Sequence, residues 1–224
     1  MVTSNFVLIG ANSDLASEFA KELKLKKQHI YGVSRKKIPY LLDDNQIQLT
    51  NYAENKESLI KFIKNIDYPY IIFFNGFLAE NRPIYSPNFK EISETINANY
   101  LVPIELTSQI NEHLNIKKFI YISSIAAIKP RNKNYIYGLS KKNLEEYIMR
   151  FENLNFLILR FGQIRTRMSR NHKTPPFTMT KKEASKRLYK KLDKHGLIYP
   201  TISLYLISLV IKLLPTKLIE FLEK

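Results

Sequence analysis

Tyr137 and Lys141 stand four residues apart in Tyr137-Gly-Leu-Ser-Lys141, so on a helix they share one face. A nearby ammonium lowers a phenol's pKa, and a phenol tuned in this way exchanges a proton with a carbonyl or hydroxyl oxygen near neutral pH. Ser124 ends the apolar run Phe119-Ile-Tyr-Ile-Ser-Ser124, thirteen residues before Tyr137. A second hydrogen bond to the same oxygen would be needed there. Alone, Tyr-x-x-x-Lys is common and is usually a surface pair. It becomes specific in a chain that also carries a strand ending in two serines and an early glycine turn.

That turn is Gly10-Ala-Asn-Ser-Asp-Leu-Ala16, directly after Phe6-Val-Leu-Ile. A tight turn at Gly10 brings backbone N–H groups and the next helix N-terminus towards a phosphate, which the helix dipole favours. Gly10, Asn12, Ser13, Asp14 and Leu15 are therefore candidate phosphate-binding positions, and small Ala16 lets helix and strand pack closely. Only one of the three glycines usual in such turns is present. The plain alternative is a capped turn with Ser13 or Asp14 as N-cap.

The elements that must hold these residues alternate between apolar strands and amphipathic helices. Phe6 to Gly10 reads as a strand, and Asp14 to Leu25 as a helix with Leu15, Phe19 and Leu23 on one face. Strands follow at His29 to Ser34, Tyr70 to Phe74, Phe119 to Ser123 and Phe156 to Phe161. Helices are expected over Glu57 to Asn65, Lys90 to His113 with a bend at Pro103, and Lys141 to Phe151. Strands that are apolar throughout and alternate with helices predict an α/β fold, a doubly wound parallel sheet between helix layers. Residues 165–180, with Pro175-Pro176, read as a substrate loop.

Composition narrows the functional classes. The chain has 224 residues, 45% of them hydrophobic, which suffices for one large domain and excludes general disorder. With no cysteine there is no disulfide framework, thiolate metal site or cysteine nucleophile. Four scattered histidines (His29, His113, His172, His195) suggest no zinc site, so no metal is expected. No secretory signal pattern opens the sequence, making a cytoplasmic setting the default. The net charge is +15, yet no helix-turn-helix, zinc-finger or RNA-binding sheet signature appears, and no nucleic-acid partner is expected. Twelve Lys or Arg against two acids lie between Arg160 and Lys194.

These motifs together resemble the short-chain dehydrogenase/reductase family over about Asn5 to Met168. Gly10…Asp14…Ala16 is similar to the family's Gly-x-x-x-Gly-x-Gly, with Asp and Ala in place of the second and third glycines. Asn75-Gly76 resembles the end of Asn-Asn-Ala-Gly, although Phe73 and Phe74 depart from it. Asn99 matches the family's proton-relay asparagine, and Ser124, Tyr137 and Lys141 match the rest of the catalytic tetrad. Arg160-Phe-Gly162-Gln-Ile-Arg-Thr166 is similar to Pro-Gly-x-x-x-Thr, with Phe161 for proline. The resemblance implies that Ile164 and Thr166 face a nicotinamide carboxamide and that Lys141 also holds the nicotinamide ribose. It implies hydride transfer between a nicotinamide and a carbonyl carbon, with Tyr137 as proton donor, Ser124 orienting the oxygen and Asn99 positioning a water. A homo-oligomer is also implied, since dimers and tetramers are common in the family.

Strand two ends in Ser34-Arg35-Lys36-Lys37 without an acid. Acids there accept ribose hydroxyls, whereas arginine meets a 2′-phosphate, so Arg35 favours NADPH over NADH. Asn51 stands where the family often has an adenine-contacting Asp. Two alternatives remain beside this reading. One is a nucleotide-sugar epimerase or dehydratase of the extended type, which Tyr137 to Tyr147 and Leu157-Ile-Leu-Arg-Phe161 also resemble. The other is a non-catalytic dinucleotide-binding sensor.

The division expected is a catalytic domain over 1–195 and an apolar tail over 196–224. Leu197 to Leu214 is too short and interrupted to span a membrane. It reads as a helix at a membrane interface beside the basic segment, or as one packed on the core or a second subunit. The stretches Arg165-Thr-Arg-Met168 and Pro176-Phe-Thr-Met-Thr-Lys181 resemble bacterial reductases of polyprenyl-phosphate-linked keto sugars. This implies a lipid- or nucleotide-linked keto sugar as substrate, in cell-surface glycan synthesis.

Overall fold

Every second residue of the first strand packs on the opposite side of one sheet, and both sides are buried. Phe6 and Leu8 enter one apolar cluster, while Val7 and Ile9 enter the other. The computed structural model describes residues 3–52, 54–79, 88–170, 174–175 and 177–218. Along the chain these form β1 (Asn5–Ile9), β2 (His29–Ser34), β3 (Gln46–Gln48), β4 (Tyr70–Phe73), β5 (Lys118–Ser124) and β6 (Phe156–Phe161). A short side ribbon follows, β7 (Ile164–Arg165) with β8 (Met179–Thr180), and last comes β9 (Gly196–Ile198). The main sheet has seven strands in the order β3-β2-β1-β4-β5-β6-β9, all pairs parallel. This is the Rossmann-type doubly wound arrangement, and strand order reverses between β1 and β4.

The helices are α1 (Asp14–Leu25), α2 (Lys56–Lys64), α3 (Phe89–Ile96), α4 (Val102–His113), α5 (Tyr135–Met149), α6 (Lys181–Tyr189) and α7 (Ile202–Leu213). Helix α1 buries Leu15, Ala16, Phe19, Ala20 and Leu23 and packs beside α6 on one face of the sheet. Leu59 and Ile63 of α2, Leu106 and Ile110 of α4, and Leu144 and Ile148 of α5 cover the other face.

Three expectations are corrected here. The helix foreseen over Lys90 to His113 is two α-helices joined by a π-helical segment, Asn97–Leu101, whose widened ladder has the Val102 N–H donating to the Asn97 carbonyl. Pro103 has no N–H, and its ring crowds the carbonyl four residues back, so the ladder opens just ahead of it. Helix α5 begins at Tyr135, six residues before the expected start, which places Tyr137 inside the helix. The stretch read as a tail from residue 196 opens with β9, paired to β6, and so belongs to the main sheet. Residues 171–173 and 176 of the expected substrate loop, His172 among them, and 219–224 of the expected tail lie outside the described residues.

Among the described residues no helix is long and apolar enough to cross a membrane. Helix α7 buries Leu204 and Ser208 and leaves Ile202, Tyr205, Leu206, Leu209, Val210 and Leu213 exposed. Those six recur at helical spacing, so they form one apolar stripe on the surface.

Candidate active site

The turn after β1 lies against the residues that follow β4. Gly10 has φ +79°, and a Cβ there would sit 2.6 Å from the Asn75 nitrogen and 2.8 Å from its Cα. Only glycine takes this backbone without strain and allows so close an approach. The Gly10 and Ala11 N–H groups both donate to the Val33 carbonyl at 2.9 and 3.1 Å, tying the turn to β2. Ser13 is the N-cap of α1, its hydroxyl accepting from the Ala16 N–H at 3.2 Å. Asp14 is thus the first helical residue. Its backbone N–H and that of Leu15 have no acceptor within the helix, while the Leu15 side chain is buried in the core.

Asn12 engages the loop after β2 with its side chain. Its Nδ2 donates to Ser34 Oγ at 2.8 Å and to the Lys36 carbonyl at 2.7 Å, pinning the loop after β2. That loop carries exposed Arg35 and Lys36, whereas Lys37 is engaged by Asp43 at 2.8 Å. The Arg35 charge acts on the half-buried Tyr52, opposing the rise that burial causes in its pKa. Asn51 is exposed next to it.

After β4, Asn75 Nδ2 donates to the Ala98 carbonyl at 2.6 Å. Asn99, fully buried in the π segment, donates to the carbonyls of Phe77 and Thr95 at 2.6 and 2.9 Å. The Oδ1 atoms of Asn75 and Asn99 are buried and have no hydrogen-bond partner among the described residues. A Cβ on Gly76 would lie 3.1 Å from Asn99 Oδ1 and 3.7 Å from Met168 Cε. A glycine cradle, the first turn of a helix and buried amide oxygens, all at the strand-order reversal, fit a bound dinucleotide.

Ser124, Tyr137 and Lys141 converge at the carboxyl end of β5. The Tyr137 phenol interacts with the Ser124 side chain, which favours its ionised form. Ser124 Oγ also accepts from the Ala126 N–H at 3.2 Å, which fixes its direction. Lys141 is 5% exposed, and its Nζ donates to the Ile122 carbonyl at 3.0 Å. Helix α5 packs on the π segment, bringing Asn99 to the same corner.

The electrostatics differ from the expectation that Lys141 pulls the Tyr137 phenol down. Burial dominates and pushes Tyr137 up to about 12, against the lowering effect of the Ser124 hydrogen bond. Burial also lowers Lys141 to about 8, while the Glu145 charge opposes that fall. In this state the phenol is firmly protonated, which suits a proton donor.

Behind Lys141 lies a polar network that the sequence reading missed. Glu145, 1% exposed, accepts from Arg160 Nε at 2.8 Å and from Ser123 Oγ at 2.6 Å. Arg160 Nη1 donates to Tyr199 Oη at 2.9 Å. Burial would lower the Arg160 pKa, but the pairing with Glu145 raises it overall. The spacing Lys141 to Glu145, four residues on one helix face, was the available signal.

On the far wall, a Cβ on Gly162 would lie 3.1 Å from Leu204 Cδ2, so its missing side chain lets α7 seat against β6. Ile164 is half-buried and packs against the core. Thr166 caps a short 3₁₀ turn in a reciprocal pair with Ser169, so its hydroxyl serves the backbone here. Beyond it, the backbone N–H and Nε of Arg167 donate to the Asp14 carboxylate at 2.7 and 2.8 Å. Nothing local in the sequence announced this pairing.

No protein-family model matches the chain. Its fold is that of the short-chain dehydrogenases, as solved structures show at low sequence identity. A short-chain dehydrogenase from Burkholderia cenocepacia in complex with NADP is 17% identical with a TM-score of 0.77, over 95% of this chain and 98% of that one. One from Sphingobium yanoikuyae in complex with NADPH is 15% identical, TM-score 0.71, over 92% of each chain. Aldohexose dehydrogenase from Thermoplasma acidophilum, ligand-free, is 13% identical, TM-score 0.71, over 90% of this chain and 94% of that one.

Proposed function

We propose that this chain is an NADPH-dependent oxidoreductase of the short-chain dehydrogenase/reductase type that reduces a carbonyl group to an alcohol. The observation that carries this reading is the convergence at the end of β5 of Ser124, of Tyr137, whose phenol interacts with the Ser124 side chain, and of Lys141, buried one turn further along α5. Bound NADPH would supply the hydride to the carbonyl carbon. Tyr137 gives its hydroxyl proton to the carbonyl oxygen, and Ser124 donates a hydrogen bond to the same oxygen and polarises it. The Lys141 ammonium stabilises the phenolate left on Tyr137, and Asn99 positions a water through which the proton is restored. Gly10, Asn75, Gly76 and the first turn of α1 hold the dinucleotide.

Preference for the phosphorylated cofactor is supported by exposed Arg35 and Lys36 at the end of β2. It is supported too by the NADP and NADPH complexes of two structural neighbours. For the substrate we favour a keto sugar carried by a lipid or a nucleotide, in cell-surface glycan synthesis. The neighbour that is an aldohexose dehydrogenase accords with a sugar substrate. The exposed apolar stripe of α7, whose Ile202 and Tyr205 line a groove together with Arg187, Lys190 and Lys191, favours peripheral contact with an anionic membrane surface. Incubating the protein with NADPH and a panel of nucleotide- and lipid-linked keto sugars tests the reading. NADPH oxidation matched by alcohol formation is expected; no NADPH consumption with any member would refute it.

A further inference from the structure

We infer that Arg167 is a positioning residue for the cofactor, neutralising the Asp14 carboxylate that would otherwise repel a pyrophosphate from the first turn of α1. The inference rests on the reading of this groove as a dinucleotide site. Asp14 occupies the first helical position, where a bound phosphate would be drawn by the same dipole and the same N–H groups. Two anions at one helix terminus oppose each other.

Arg167 meets this carboxylate from 153 residues away in sequence. Its backbone N–H reaches Oδ2 at 2.7 Å and its Nε reaches Oδ1 at 2.8 Å, so both carboxylate oxygens are held. Its Nη2 donates to the Asn12 carbonyl at 3.1 Å, in the same turn. The Asp14 side chain is 17% exposed, whereas that of Arg167 is 73% exposed. The carboxylate is therefore covered, and the guanidinium presents positive charge at the surface above it. The neighbouring Met168 reaches the other wall, with Cε 3.7 Å from where a Gly76 Cβ would be. Residues 167 and 168 thus bridge the β1 and β4 turns from the segment after β7.

The test is a double-mutant comparison of NADPH affinity, read by calorimetry on the full chain, with thermal melts to verify folding. Arg167→Ala should weaken NADPH binding by about tenfold or more. Adding Asp14→Asn to that variant should restore most of the affinity, because no uncovered carboxylate remains. Wild-type affinity in Arg167→Ala would overturn the inference. So would a double variant as weak as the single one, since Arg167 would then bind phosphate directly or serve only the fold. A wild-type protein that binds neither NADPH nor NADH would refute the cofactor reading itself, and this inference with it.

Discussion

The Tyr137 phenol, in the N-terminal turn of α5, meets the side chain of Ser124 at the carboxyl end of β5. The pair defines one point in space where a carbonyl oxygen meets a protonated phenol and a hydroxyl together. Tyr137→Phe should leave NADPH affinity within about twofold and lower turnover by roughly 10²–10⁴, the range for losing a general acid. Ser124→Ala should lose less in kcat, because the phenol remains. Steady-state kinetics beside calorimetric affinities would check both, and an unchanged kcat in Tyr137→Phe would remove the phenol from the chemistry.

Lys141 is held at a cost to stability. Its pKa falls from 10.5 to about 8 on folding. Between those values the unfolded chain holds more proton than the folded one, so this group's contribution to stability rises with pH across the window. Below pH 8 the full deficit is present, about 3 kcal/mol. Lys141→Met should therefore unfold later at pH 7, by about 1–2 kcal/mol once the lost bond to the Ile122 carbonyl is counted, while losing turnover. The advantage should shrink as pH rises from 8 towards 10.5. Denaturant titrations at pH 7 and pH 10 measure it, and parallel curves at both would contradict the burial of a charged lysine.

Glu145 should matter to the same lysine through charge. Its carboxylate opposes the fall in the Lys141 pKa, so Glu145→Gln should move the alkaline limb of the rate profile to lower pH. It should also destabilise the fold by about 3–5 kcal/mol, because Arg160 loses its ionic partner. A stability loss with an unmoved alkaline limb would show that the network is only structural.

Gly10 faces a different constraint. Gly10→Ala combines a left-handed backbone with a Cβ 2.6 Å from the Asn75 nitrogen. A loss of about 2–4 kcal/mol in unfolding free energy is expected, with weaker NADPH binding. Unchanged stability and affinity would mean that the β1 turn does not press on β4.

The stripe on α7 supplies a prediction for the membrane reading. Leu206→Glu with Val210→Glu replaces two exposed side chains and should not affect folding. Binding of the wild-type protein to vesicles containing anionic lipid should weaken with salt, and the double variant should lose it. Indifference of the wild-type protein to such vesicles would leave a nucleotide-linked keto sugar as the better substrate class. Leu204, on the opposite side of the helix, is buried against Gly162 and takes no part.

Strands β1, β2, β4, β5 and β6 and helices α1 and α2 were legible because a strand buried on both faces leaves an unbroken apolar run, as in Tyr70 to Phe73, and α1 has a clean apolar face. Ser124, Tyr137 and Lys141 stood out as residue types at set spacings, and Asn99 only through the family resemblance. The π segment was not, since Pro103 signals a disturbed ladder without saying which carbonyls shift partners. Strand β9 was hidden in an apolar run where a period of 2 and one of 3.6 look alike. The Arg167–Asp14 pair and the Arg160–Tyr199 bond join distant parts of the chain, and only the folded chain brings them together. Burial, which a spacing cannot convey, raises the Tyr137 pKa against the lowering effect of Ser124.

The most direct test of hydride and proton delivery at this site uses NADPH carrying deuterium at the transferable C4 position, with a keto-sugar substrate. Mass spectrometry of the product should find one deuterium on the carbinol carbon with the wild-type protein, and almost no labelled product with Tyr137→Phe. Product formed without deuterium on that carbon, or labelled equally well by Tyr137→Phe, would contradict the assignment of this corner of the fold as a reductase active site.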